Sequence, residues 1–171
     1  METISDKDKA CFRAKRYMDD ILLFYTKHPK WDHAKFLAGF DASECYWKPL
    51  KLDTTVGDTF LETTFEATYV GLKHRIKNPN TTSQCVWRYH HFQSCIPYGI
   101  KRQIVLATLK KVQKMASNAD ELWKSAVPIL QEFQGLGYPL GILKFMCSVV
   151  ARDTNNRLWL DLRSYIDTLD S

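Results

Sequence analysis

The spacing of apolar and polar positions changes character twice along the chain. Near the start, "KRYMDDILLFYTK" sets five consecutive large apolar residues, 21–25, directly behind the carboxylates Asp19 and Asp20. Two templates fit this segment. Ala14, Tyr17 or Met18, Ile21 and Tyr25 recur at helical spacing, with both aspartates on a solvated side. Equally, residues 15–18 and 21–25 read as two strands meeting at a bend. The chemistry of the pair favours the bend. Adjacent anions repel unless they are solvated or neutralised, and a tight turn can bring both onto one divalent cation cluster.

Further on, "DHAKFLAGF" (32–40) predicts a short helix with Asp32 at its N-cap and Phe36, Leu37 and Phe40 on its apolar side. β-Branched and aromatic residues then alternate with polar ones, punctuated by Pro49, Gly57-Asp58 and Gly71. That pattern predicts strands at about 50–56, 59–69 and 72–76, followed by a loop around Pro79. After Gly99 the period becomes helical. Val105, Leu109, Val112 and Ala116 fall on one side, with Gln103, Lys110 and Lys114 on the other. Asn118 with Glu121 three residues on predicts the start of a second helix, with Leu122, Ala126, Ile129 and Phe133 inward. Pro128 should kink or restart it, and "GLGYP" (135–139) should end it. "LGILKFMCSVVA" predicts a third helix, and "RLWLDLRSYI" fits either a strand or a final short helix.

Composition narrows the class. The chain is 45% hydrophobic over 171 residues, enough for one domain or two small lobes sharing a core. The first residues are charged and carry no apolar signal-peptide core, and no window approaches a membrane span. An intracellular protein of the nucleus or cytoplasm, with no membrane partner, is therefore expected. The five cysteines (Cys11, Cys45, Cys85, Cys95 and Cys147) are odd in number and never in C-x-x-C spacing, which argues for thiols rather than a disulfide framework. Cys85, His90, His91 and Cys95 contain zinc-type ligands at a spacing that matches no common zinc module, so zinc is not expected.

Charge is distributed unevenly. Residues 67–119 hold no Asp or Glu, yet include Lys73, Arg75, Lys77, Arg88, Lys101, Arg102, Lys110, Lys111 and Lys114. Tyr69, Trp87, Tyr89, Phe92 and Tyr98 are interleaved with them. Cations that follow phosphates and rings that meet bases or sugars are what a nucleic-acid groove requires. The plainer alternative is that the rings fill a core and the cations form an ordinary solvated face. Arg88, Lys101, Arg102, Lys110, Lys111 and Lys114 are the candidate nucleic-acid contacts.

"RYMDDILLF" (16–24) resembles the Y-x-D-D box of reverse transcriptases, the palm hairpin that bears catalytic aspartates. "TFLETTFEA" (59–67) is similar to the strand segment after that box in Penelope-like and related retroelement enzymes. "HHFQSCIPYGIKRQIVLATLKKVQKMAS", with the following helix ending in "GLGYP", is similar to their primer-contacting turn and thumb helices. The resemblance covers nearly the whole chain in order, and the YMDD box is its specific motif. It implies an α+β fold: a partial polymerase palm over 1–98 (β-hairpin, short helix, further strands) and a helical thumb-like region over 99–171. It also implies that Asp19 and Asp20 are catalytic Mg²⁺ or Mn²⁺ ligands for two-metal nucleotidyl transfer, that Tyr17 and Met18 shape the hairpin beside the primer, and that a primer-template is the partner.

The departures from the family carry equal weight. The family's further palm aspartate and its fingers lie upstream of the box, whereas here sixteen residues precede Tyr17, and Glu62 stands where Asp is expected. The expectation is a C-terminal part of a reverse transcriptase, incomplete and inactive alone, with a second chain as one source of the fingers and the missing aspartate. The alternative is a non-catalytic nucleic-acid-binding or partner-binding protein derived from a retroelement.

Overall fold

A computed structural model describes residues 12–17, 20–25, 57–77 and 88–170. The chain divides into two compact units, 1–56 and 57–171. In the first, β1 (Phe12–Tyr17) and β2 (Asp20–Tyr25) pair antiparallel, in register from Phe12↔Tyr25 to Tyr17↔Asp20. The strand template therefore holds on both sides of the aspartates, and the helical one does not. Met18 and Asp19, the expected turn itself, lie outside the described residues, as do the expected helix at 32–40, the strand at 50–56 and the loop around Pro79.

The second unit is α+β. Its sheet has the order β3 (Thr59–Phe60), β4 (Thr63–Thr68), β5 (Gly71–Ile76), all antiparallel. The single strand expected over 59–69 is broken in two. Leu61 turns into the left-handed region at φ 54°, so Phe60 folds back to pair with Thr63. Four helices follow among the described residues: α1 (Tyr98–Met115), α2 (Ala119–Gly135), α3 (Leu140–Thr154) and α4 (Leu158–Asp167), closed by a 3-10 turn at Thr168–Asp170. The segment open to strand or helix is α4. Its apolar Trp159, Leu162 and Ile166 stand three and four apart and are all fully buried.

Helical periodicity places the core as expected. Val105, Leu109, Val112, Leu122, Ile129 and Phe133 are fully enclosed, joined by Leu143 and Trp159. The α2 helix runs through Pro128 without interruption. Its tertiary packing, with Ile129 and Leu130 both buried, outweighs the lost backbone donor. The helix begins as the sequence suggests, with the Glu121 N–H donating to the Asn118 side chain at 2.9 Å. Between α2 and α3 the chain turns at Gly137, φ 78°, where a Cβ would stand 3.2 Å from the His91 ring. A left-handed turn and a close neighbour both require glycine there.

Two contacts fasten the sheet to the helical corner. The His74 N–H donates to Ser117 Oγ at 3.0 Å, and the Ser117 N–H donates back to the His74 carbonyl at 2.9 Å. The α1–α2 link thus occupies β5's outer edge at His74, as a neighbouring strand would. Beside it, Arg75 donates to Glu121 at 2.8 Å, and Glu121 is almost fully buried. Burial pushes the Glu121 carboxyl upward, but hydrogen bonds from Arg75 and Lys124 outweigh it and hold the group below the ordinary glutamate range.

Arg75→Ala leaves that carboxylate enclosed without its main partner and should cost about 3 kcal/mol in denaturant unfolding, against less than about 1 for Lys124→Ala at the rim. Because the folded carboxyl titrates lower than the unfolded one, the pair's contribution is whole above the ordinary glutamate range. It is lost as pH falls through the depressed value, so the parent should lose more stability on acidification than Glu121→Gln. Burial also pushes the Cys147 thiol up to about 12. In a thiol-titration assay on the native protein, Cys147 should stay unlabelled while the exposed Cys95 reacts.

Candidate nucleic-acid interface

The acid-free stretch contributes β5, the segment leading into α1, and α1 itself. On α1, one face carries Lys101, Val105, Thr108, Leu109 and Val112 into the interior. The opposite face exposes Gln103, Ala107, Lys111 and Lys114, with Lys110 half-buried at its edge. The helix holds no acidic residue. A helix of this length spans about 27 Å, comparable to most of a turn of duplex.

The six candidate cations separate by what surrounds them. Lys101 is 6% exposed; its ammonium donates to the Phe92 and Ser94 carbonyls at 2.5 and 2.6 Å and lies 5.3 Å from the centre of the Phe92 ring. This lysine locks the 92–94 turn against α1 and has no face left for a phosphate. Arg88 is also committed, to Glu132 at 2.7 Å, with its guanidinium 5.1 Å from the Tyr89 ring centre. Lys110 reaches Asp153 on α3 at 2.7 Å, and Lys111 pairs with Glu62 in the β3–β4 turn. The hydrogen bond from Lys110 is the largest of the influences that hold the Asp153 carboxyl below its ordinary range. Both lysines stay more than two-fifths exposed, so these are surface pairs that solvent screens.

That leaves Arg102 and Lys114, which have no carboxylate partner among the described residues. Lys114 is exposed near the C-terminal end of α1. Arg102 lies between two rings, its guanidinium carbon 5.7 Å from the Tyr98 centre and 5.2 Å from that of Phe145. Phe145 belongs to α3, which runs parallel to α1: Arg102–Phe145, Lys110–Asp153 and Gln113–Asn156 each join residues 43 apart in sequence. The charge pattern marked Arg102 but gave no sign of Phe145, because only the parallel packing of the two helices brings them together.

The interleaved rings divide likewise. Tyr89 stacks on Phe133 at 4.4 Å and Phe92 packs edge-on against Tyr138 at 5.2 Å, so both serve the core. Tyr69 and Tyr98 are exposed, and Trp87 lies outside the described residues. At the hairpin, the backbones of Tyr17 and Asp20 are the last paired residues of β1 and β2.

No family model matches this chain, and neither a curated protein nor a solved structure is similar enough to count as a match. Function therefore rests on the residues themselves. Among the described residues no group of three or more His, Cys, Asp or Glu side chains could hold a metal ion. Asp19, the side chain of Asp20 and Cys85 lie outside the described residues. No described helix is long and apolar enough to cross a membrane.

The division of the cations predicts opposite phenotypes for neighbouring residues. Lys101→Ala removes the donor to two part-buried carbonyls and should lower stability by about 2 kcal/mol in thermal or denaturant unfolding. Lys114→Ala, on the outer face, should change it by less than about 0.5.

Proposed function

We propose that this chain is the palm-and-thumb part of a reverse-transcriptase-like protein, in which the outer face of α1 grips the backbone of a primer-template duplex. The observation that carries the duplex grip is the acid-free face of α1, with Lys114 unpaired among the described residues and Lys110 and Lys111 on screened pairs that phosphates can compete for. Supporting the palm reading, the YMDD box is flanked by strands in antiparallel register, from Tyr17↔Asp20 outward. A small sheet and a helical region follow in the order the resemblance implies.

In this reading Asp19 and Asp20 hold Mg²⁺ or Mn²⁺, with Tyr17 and Met18 shaping the bend beside the primer end. The bound ions would supply activation of a 3′-hydroxyl and stabilisation of the leaving pyrophosphate. Two carboxylates from one hairpin underligand a metal pair, so the active set needs a further carboxylate, for which a second chain is one source. The chain alone should accordingly bind a primer-template without extending it. Robust extension by the purified chain in Mg²⁺ would show the ligand set to be complete without a partner.

The grip is tested by its salt dependence. Affinity for a blunt duplex should fall with rising salt at a log-log slope of about −0.9 per phosphate neutralised on B-DNA. Lys114→Gln should reduce that slope by about 0.9 and weaken all duplex sequences alike, since phosphate contacts position a helix without reading bases. Lys110→Gln should do less, because part of its charge is already spent on Asp153. A Lys110→Gln/Lys114→Gln variant that keeps the parent affinity and slope would remove α1 from the interface and favour a protein-binding role instead.

A further inference from the structure

We infer that Tyr98, Arg102 and Phe145 form a stacking platform for the unpaired nucleotides of the primer-template, next to its duplex part. This inference rests on the nucleic-acid reading of α1 and adds a second, chemically distinct contact to it. The platform lies in the N-terminal halves of α1 and α3, and Arg102 is twelve residues from Lys114, about 18 Å along the helix. One end of α1 therefore presents rings and the other presents flexible cations.

Four properties suit this cluster to unpaired bases. First, both rings are open to solvent, Tyr98 at 53% and Phe145 at 52%, with Ile100, two residues after Tyr98, also exposed. Second, the Tyr98 ring stands edge-on at 6.2 Å from Phe92, which is itself packed on Tyr138, so Tyr98 is tied to the core. Third, Arg102 is oriented by the two rings and has neither an ion pair nor a hydrogen bond to another described residue, which leaves its five N–H donors for a phosphate or a base edge. Fourth, neither α1 nor α3 has an acidic residue in its first turn. Half-exposed rings beside a guanidinium with no carboxylate partner among the described residues match a single strand, whose bases offer π-faces and whose backbone offers negative charge. In a paired duplex the base faces are stacked on one another and unavailable to these rings.

The test compares three probes by fluorescence anisotropy at one salt concentration: a blunt duplex, the same duplex with a six-nucleotide overhang, and that overhang built from abasic nucleotides. The parent should bind the overhang probe about tenfold more tightly than the blunt duplex, and the abasic overhang should lose most of that gain. Tyr98→Ala/Phe145→Ala should abolish the gain while leaving blunt-duplex affinity within about twofold. Arg102→Lys, which keeps charge but not the planar fork, should reduce the gain with the fold undisturbed, and provides the readout if the double variant does not fold. An overhang gain equal for normal and abasic strands would assign the effect to phosphate alone and overturn the platform. Equal binding of blunt and overhang probes by the parent would overturn it too, while salt-sensitive blunt-duplex binding kept the grip by α1 intact. Absence of blunt-duplex binding would overturn the underlying reading, and this inference with it.

Discussion

The organisation of the 57–171 unit depends on one electrostatic constraint: a 53-residue stretch, 67–119, carries nine cations and no carboxylate. Any side-chain neutralisation has to come from elsewhere in the chain. Arg75 takes Glu121 and Arg88 takes Glu132, both on α2; Lys110 takes Asp153 on α3; Lys111 takes Glu62 in the β3–β4 turn. Each pair is non-local and each joins a different part of the basic stretch to its surroundings. The two pairs to α2 have carboxylates only 2% and 8% exposed, so loss of either cation would strand an enclosed charge. Charge segregation in the sequence thus becomes cross-linking in the fold.

The same constraint shapes what remains on the surface. Lys101 satisfies its charge on backbone carbonyls, which makes it part of the architecture. Arg102, one residue later and about 100° around the helix, is turned out between two rings. Adjacent residues of like charge therefore have unrelated roles, and a count of basic residues along α1 overstates the number free to meet a polyanion.

Much of the helical half was legible in the sequence because burial there follows a simple period. Val105, Leu109 and Val112 point inward as their spacing requires, and Asn118 caps α2. Lys101 reads as a nucleic-acid contact from its charge, although it stands four residues before Val105, on the buried side of the helix. The reading of 59–69 as one strand failed because alternation cannot see a left-handed Leu61, a residue type that rarely adopts that backbone. The partners of Arg88 and Arg102 were beyond reach for another reason. Glu132 and Phe145 lie more than forty residues away, and no local pattern encodes which helix packs beside which.

The two cations of α1 with no carboxylate partner among the described residues also differ in kind, and that difference bears on how the helix could work. Lys114 is a compact charge on a flexible stem, suited to phosphates whose exact position varies with sequence and groove width. Arg102 sits against Tyr98 and Phe145, and a side chain seated in this way loses less entropy when its planar fork meets a ligand. On the proposed reading, a helix with a cation on a flexible stem at one end and a ring-supported one at the other would be polar in function as well as in dipole. A ligand that runs along it would be held loosely where its backbone is regular and more strictly where its bases are exposed. The junction between paired and unpaired nucleotides has that asymmetry, which a uniform duplex lacks.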